Sequence, residues 1–283
     1  MIDLHSHSDV SDGSESPERV VELAADAGCS TVALTDHDTT GGLDRAGARA
    51  ASLGIRLVPG CEVSCAYEPG TMHVLCYFVP TSGGLLQEEL ARLRDDRDRR
   101  NEEMARTLAH LGLPVTYEEV VAEAGGLGVG RPHFASVLVR KGVVSSVEEA
   151  FGSYLGKGAP GYVSKARVEV ASVVDLARRS GAVAVLAHPL SLGLSPAGLE
   201  PELRRLAELG LAGVECHYGR YDPATRADLA AAARRCGLVA TGGSDFHGSY
   251  KPDLSVGTGT GDLAVPDEVV AELESLRPAA HRG

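Results

Sequence analysis

The chain opens MIDLHSHSDVSDGS, placing His5 and His7 one residue apart at the end of its first apolar run, with Asp9 and Asp12 close behind. A strand alternates its faces, so histidines at i and i+2 project to the same side. Imidazole nitrogens and carboxylate oxygens presented together are the donors of a metal site; a solvated surface strand is the plainer alternative. Other apolar runs end in the same way: STVALT is followed by DHD, IRLVPG by CEVS, AVAVLA by HP and LVATGGS by DFH. If these runs are parallel strands whose C-terminal ends share one face of a barrel, the polar residues converge. His5, His7, Asp12, His37, Glu62, His73, His188, Asp245 and His247 then make a nitrogen-and-oxygen set too large for one ion and sufficient for two or three. So many imidazoles and carboxylates gathered together without metal would be costly.

The elements that must position this set are legible as short β-rich runs alternating with helical patterns. IDL, STVAL, IRLVP, HVLCYFV, AVAVLA, LAGVEC and GLVAT are seven candidate strands. SPERVVELAADAG reads as a helix capped by Ser16, begun by Pro17 and ended by Gly28, and residues 168–180 and 223–236 read likewise. The expected architecture is α/β: a distorted seven-stranded TIM-like (β/α)7 barrel with a helical insertion. Residues 1–82 and 162–283 form the two parts of the barrel. Residues 83–161, which lack a convincing strand, form the insertion and suit a lid or substrate-selecting module. There Leu86, Leu90, Leu93, Met104, Leu108 and Leu111 recur at helical spacing. Thr116 with Glu119, and Ser146 with Glu149, have capping-box spacing, and Pro132 suits the start of a helix running to Lys141 and stopped by Gly142.

At 283 residues and 43% hydrophobic content the chain can bury a sizeable core. No stretch reaches the roughly 20 apolar residues that span a bilayer, and the start lacks the features of a signal peptide, so the expected setting is the cytoplasm. Its six cysteines form no CxxC pair and are expected to stay reduced. The net charge of −12 argues against a membrane surface or a long nucleic acid as partner. A small phosphorylated substrate remains compatible, because bound divalent cations supply positive charge locally.

With its motifs in order, HSH at 5–7, DHD at 36–38, GCEVS at 60–64, HVLCYF at 73–78, AHP at 187–189 and GSDFH at 243–247, the chain resembles the PHP (polymerase and histidinol phosphatase) superfamily of metal-dependent phosphoesterases. GRPHFASVLVRKG followed by EEAFGSYLGKGAPGYV resembles the branch containing nucleoside 3′,5′-bisphosphate phosphatases and a related exonuclease acting on short oligonucleotides. The resemblance implies a trinuclear centre, commonly of manganese, with iron or zinc as alternatives. It implies that His5, His7, Glu62 and Asp245 hold one ion, that Glu62 bridges to a second held by His73 and His188, and that Asp12, His37 and His247 hold the third. Such ions would activate a water for attack on phosphorus and neutralise the attacking and leaving oxygens. Ser6, Ser8 and Ser244 lie nearby, yet no base-and-orienter pair around them suggests a triad. Glu62, His188 and His247 are the residues expected beside the chemistry, although histidines bound to metal are poor proton donors.

For substrate binding, Arg131 and His133 flank Pro132 at a helix start, where free N–H groups favour an anion, and the resemblance makes them the preferred phosphate contacts. Arg97 and Arg100 share a helical stripe with Leu93 and Met104; the favoured expectation is that they snorkel from the charged surface RDDRDRRNEE. Lys157, Lys165 and Lys251 are weaker candidates. Asp9 reads as a solvated loop residue, and Glu215 and His217 stay outside the ligand set. Three rivals remain at this stage: a histidinol-phosphate phosphatase, an amidohydrolase, and a PHP-like accessory module without catalysis.

Overall fold

Seven strands lie in one sheet in chain order: β1 (Ile2–Asp3), β2 (Thr31–Leu34), β3 (Arg56–Cys65), β4 (Met72–Tyr77), β5 (Val183–Leu186), β6 (Gly213–Tyr218) and β7 (Val239–Gly243). The computed structural model describes residues 1–125, 129–164 and 168–281. The sheet curls back on itself where the chain beyond β1 meets the chain around β7. There Leu4 N donates to Gly242 O (3.1 Å), Asp245 N to His5 O (2.8 Å) and His7 N to Phe246 O (2.9 Å). The result is a nearly closed, distorted barrel of the expected seven strands.

One expectation is corrected: the strands are not all parallel. β4 runs antiparallel to both β3 and β5. Only six residues separate Cys65 from Met72, its register partner, whereas a parallel return needs a crossover of a dozen or more. His73 therefore lies near the start of its strand, yet reaches the same mouth as residues at the ends of the others.

The strands are buried on both faces with period two. Ala33, Leu75, Tyr77, Val183 and Val185 fill the barrel floor with Val265, Val269 and Leu273, while Val32, Leu34, Val74, Cys76, Ala184 and Leu186 pack beneath the helices. The interior below the mouth is thus apolar and solid. All six cysteines are free, and Cys61 and Cys76 belong to the helix-facing core.

Helices α1 (Pro17–Asp26), α2 (Leu43–Leu53), α3 (Leu85–His110), α4 (Tyr117–Glu123), α5 (Arg131–Arg140), α6 (Val147–Ala150), α7 (Val170–Arg179), α8 (Pro196–Glu208), α9 (Pro223–Arg235) and α10 (Val269–Ser275) complete the fold. Ser16 accepts from Arg19 N as expected, and the Thr116–Glu119 box closes in both directions. At α6 only half of the second box forms: Ser146 accepts from Glu149 N, but the Glu149 carboxylate turns to Ser145. Helix α3 joins two cores. Leu86, Leu90 and Leu93 pack with the barrel, and Met104, Ala105 and Leu108 pack with Phe134, Val137 and Leu138 of α5. Burying each such leucine contributes roughly 1.5–3 kcal/mol, which holds α3 across the gap. Between the two cores lie Arg97 and Arg100, buried rather than on the charged surface expected for them.

Gly243 shows how closely β7 supports the mouth. A Cβ there would sit 2.3 Å from His5 N, a backbone contact that cannot rotate away. Gly243→Ala should cost about 1–3 kcal/mol or more in a denaturant titration, whereas Gly152→Ala, which has nothing within 4 Å, should stay close to the parent.

Candidate metal centre

Six chain segments carry donors to one mouth: residues 5–12, His37, Glu62, His73, His188 and residues 245–247. Beyond β1, Ser6 bonds sideways, its hydroxyl donating to Ala33 O and its carbonyl accepting from Thr35 N (2.9 Å). His5 and His7 on either side are left on the interior face, with their Nε2 atoms 3.1 Å apart. His37 sits in a bridge to Glu62: Glu62 N donates to Asp36 O, and Asp38 N to Glu62 O. His188 follows β5, and Asp245 and His247 follow β7. Asp38, His188 and Asp245 all adopt positive φ (53°, 24° and 55°), and unfavourable backbone of this kind persists where the surroundings fix it.

Glu62 is the hub. Its Oε1 lies 2.9 Å from His73 Nδ1 and 3.1 Å from His188 Nε2. Its Oε2 lies 3.2–3.3 Å from His5 Nε2, His7 Nε2 and His37 Nδ1. Asp245 Oδ1 is 3.4 Å from nitrogens of His5, His7 and His247, and Asp12 is 3.4–3.7 Å from His247, His7 and His37. Donor atoms fall into three close groups: His7, Asp12, His37 and His247; His5, His7 and Asp245; and His37, Glu62 and His73. Every residue of the expected set is brought to this mouth.

These residues fit divalent cations. The donors are imidazole and carboxylate with no thiolate, a mixture suited to first-row divalent ions. The buried Nδ1 atoms of His7 and His37 make no hydrogen bond. Burial opposes the charge on Glu62, Asp12 and Asp245, yet surrounding histidines, and Lys251 beside Asp245, hold all three well below the usual carboxylate range. Burial likewise opposes charging His7, but Asp245 and Glu62 win and raise it to about 9. Burial and neighbouring cations instead lower His37 and His247, so the raised imidazoles His5 and His7 stand in the electrostatic place that metal ions would take.

Behind the donors stands a layer that orients them. Buried Glu215 accepts from His5 Nδ1 (2.9 Å) and His188 N (2.7 Å), leaving His5 Nε2 for an ion. Tyr218 donates to Asp245 Oδ2 (2.8 Å), and Lys251 Nζ lies 2.5 Å from the same oxygen. Tyr218 is not legible as a site residue in the sequence. Period two from Glu215 selects residue 217, but a bulge between Glu215 and His217 shifts the phase. His217 belongs to none of the donor groups.

The mouth opens into a cavity of about 910 Å³ lined by Asp12, His37, His73 and His247, and also by Arg97, Arg100, Arg131 and Lys251. The Arg131 guanidinium lies between the Phe151 and Tyr162 rings, 5.6 and 5.7 Å from their centroids. His133 lies in the first turn of the same helix, α5. It is buried and absent from the cavity lining; its Nδ1 accepts from Gly130 N (2.9 Å), and its ring meets Tyr250 edge-on. Asp9 is half-buried, with an Oδ1 that makes no hydrogen bond, and stands outside the donor groups. Lys157 pairs with Glu68 away from the lining, and Lys165 lies outside the described residues.

The PHP domain family matches residues 3–120. The chain is 34% identical to a 3′,5′-nucleoside bisphosphate phosphatase of Chromobacterium violaceum, over 98% of this chain and 99% of that protein. It is 35% identical to the 5′-3′ exoribonuclease Rnm of Escherichia coli, over 87% and 85% respectively. A solved structure from Chromobacterium violaceum, described as an amidohydrolase with bound sulfate and no metal, superposes with a TM-score of 0.87 at 32% identity, covering 100% of this chain and 99% of that one.

Glu62→Gln keeps the shape of the hub and removes its charge. Metal analysis of the purified variant should show loss of more than one ion per chain, and phosphoesterase turnover should fall by orders of magnitude while the circular dichroism spectrum is unchanged. Full metal content with undiminished turnover would remove Glu62 from the centre.

Proposed function

The chain belongs to the PHP superfamily of metal-dependent phosphoesterases and is a hydrolase of phosphoester bonds; on that footing we propose that it removes the 3′-phosphate of nucleoside 3′,5′-bisphosphates. The observation that carries this reading is a single cavity lined both by metal-donor residues, Asp12, His37, His73 and His247, and by a group of guanidinium cations, so that one phosphoryl group can meet each. Short oligonucleotides are a second substrate class, favoured by the similarity to the Escherichia coli exoribonuclease. A histidinol phosphate would leave the guanidinium side of the cavity unused, and a non-catalytic module would have no need of a complete donor set.

In this reading two to three divalent ions, manganese first and iron or zinc as alternatives, are held by His5, His7, Asp12, His37, Glu62, His73, His188, Asp245 and His247. Bound there, they supply an activated water and neutralise phosphoryl oxygens. Glu62 links the donor groups. His188, fixed by Ser191 Oγ at 2.9 Å, and His247, on the cavity wall, stand beside the reacting phosphate. The neighbouring serines are engaged elsewhere: Ser6 donates to Ala33 O, Ser8 to Asp36 and Ser244 to His5 O. Asp36 also accepts from Ser8 N and Ser11 Oγ, and none of Ser6, Ser8 and Ser244 has a histidine base with an orienting partner, so no covalent intermediate is needed. Arg131 contacts the remote phosphate, and His133 holds the start of α5 from which it projects. Residues 83–161 act as the substrate-selecting wall between the two barrel parts, 1–82 and 162–283. Among the described residues no helix is long and apolar enough to cross a membrane, and we assign the enzyme to the cytoplasm.

Binding energy at a remote group can be used to position the reacting one. A charge-assisted hydrogen bond is worth roughly 1.5–3 kcal/mol, or about one to two powers of ten in kcat/KM. Arg131→Ala should lose that much on a nucleoside 3′,5′-bisphosphate and little on a 3′-monophosphate at matched metal loading. Equal losses on both would place Arg131 at the reacting phosphate, and no loss on either would remove it from the site.

A further inference from the structure

Asp3 ends β1 and is entirely buried, and no lysine, arginine or histidine forms an ion pair with it among the described residues. Its carboxylate is held instead by backbone N–H groups from three separate segments. Oδ1 accepts from His5 N (3.2 Å) and Ser244 N (2.9 Å), and Oδ2 accepts from Gly257 N (2.7 Å). All three segments serve one donor group, that of His5, His7 and Asp245. His5 is itself a donor, Ser244 precedes Asp245, and Gly257 lies in the stretch after β7 that brings Lys251 to Asp245 Oδ2. Where the chain beyond β1 meets the chain around β7, Leu4 N, Asp245 N and His7 N pair with carbonyls across the junction. His5 N and Ser244 N turn to the carboxylate, and Asp245 takes a positive φ of 55°. Buried N–H groups left without an acceptor are costly. The residue type follows from the donor count: an asparagine would set its own amide donor against one of the three N–H groups, and an alanine would leave all three unpaired. A buried carboxylate without a cation is itself unfavourable, and what this one achieves is the alignment of three segments.

We propose that Asp3 is a positioning residue of the metal centre: by fixing the backbone at His5, Ser244 and Gly257 it holds His5, Asp245 and Lys251 in the arrangement in which the His5, His7 and Asp245 group takes an ion. The inference rests on the metal-centre part of the proposed function and not on the choice of substrate. Asp3 would act at a distance through the backbone, touching no ion itself. The group of His37, Glu62 and His73 draws only on segments that Asp3 does not contact, so loss of the carboxylate should weaken one ion in preference to the others. Coupling of this kind is reciprocal. If the Asp3 bonds favour the ion-ready arrangement, a bound ion must in turn strengthen those bonds. A role in barrel stability alone carries no such linkage, because it would act equally on the metal-free and the metal-bound protein.

The test titrates metal-free protein with Mn²⁺ and with Zn²⁺ by calorimetry and follows thermal unfolding with and without saturating Zn²⁺. It compares the parent with Asp3→Asn and with Leu138→Ala, a control in the separate core of the insertion. Asp3→Asn should bind one ion about 10–100-fold more weakly while another stays within about twofold of the parent. Its rise in melting temperature on adding zinc should be smaller than the parent's. Leu138→Ala should melt lower without metal yet keep the parent's affinities and the parent's zinc-dependent rise. Parent-like affinities in Asp3→Asn, whatever its melting temperature, would make Asp3 a purely structural residue and overturn the inference. If Asp3→Asn does not fold, amide exchange in the unaltered protein decides: zinc should slow exchange at His5, Ser244 and Gly257 by about tenfold or more, and unchanged exchange at these three would overturn the inference. A parent that binds no divalent ion would remove the centre and this inference together. None of these readouts uses a substrate, so a metal-loaded parent inactive on bisphosphates would refute the proposed substrate and leave the role of Asp3 standing.

Discussion

A carboxylate buried among five histidines governs this molecule. Glu62 is nearly inaccessible, and its two oxygens face separate imidazole sets. Removing such a charge from water is costly unless cations and hydrogen bonds surround it. The barrel meets that condition by bringing β1, β3, β4 and the loops after β2 and β5 to within hydrogen-bond distance of one side chain. The same demand explains the outer layer. Glu215 fixes His5, Ser191 fixes His188, and Tyr218 fixes Asp245, so that donors which would repel or reorient when alone are held facing inward.

The lower half of the barrel makes this concentration of polarity possible. Its interior is filled by interdigitating apolar side chains from alternate positions of the strands and by α10. The floor beneath the donors is lined by apolar side chains, which favours a low local dielectric. Electrostatic interactions in the mouth are correspondingly strong in both directions: the Glu62 carboxyl is held well below its usual range and the His7 imidazole above its own. Ions would settle into a site whose charges are already arranged for them.

The insertion answers a different constraint. A barrel mouth offers donors but little wall, and α3 supplies one by anchoring its first turns in the barrel core and its last turns in a separate core shared with α5. The buried arginines sit where neither core reaches, at the cavity. Arg97 is tied through Asp38 to the loop carrying His37, so wall and centre are mechanically joined. Arg131, seated against the Phe151 and Tyr162 rings, adds a further cation to that wall.

Much of this was written in the chain itself. Short, nearly continuous apolar runs located all seven strands because strands buried on both faces leave little room for polar residues, and Ser16, Thr116 and Gly142 marked helix ends because unsatisfied backbone groups demand particular side chains. His5 and His7 were readable as a pair because spacing within one strand is local. Tertiary structure decided whatever depended on direction or phase across elements. The reversal of β4 determines that His73 faces the mouth, and a single bulge in β6 turns Tyr218 toward Asp245. His133 became a helix support because its Nδ1 reaches Gly130 N. Arg97 and Arg100 looked like surface charges beside RDDRDRRNEE, since a helical stripe does not say which partner it meets at each turn. Only the placement of α3 across the cavity buries those two guanidiniums beside the metal-donor set.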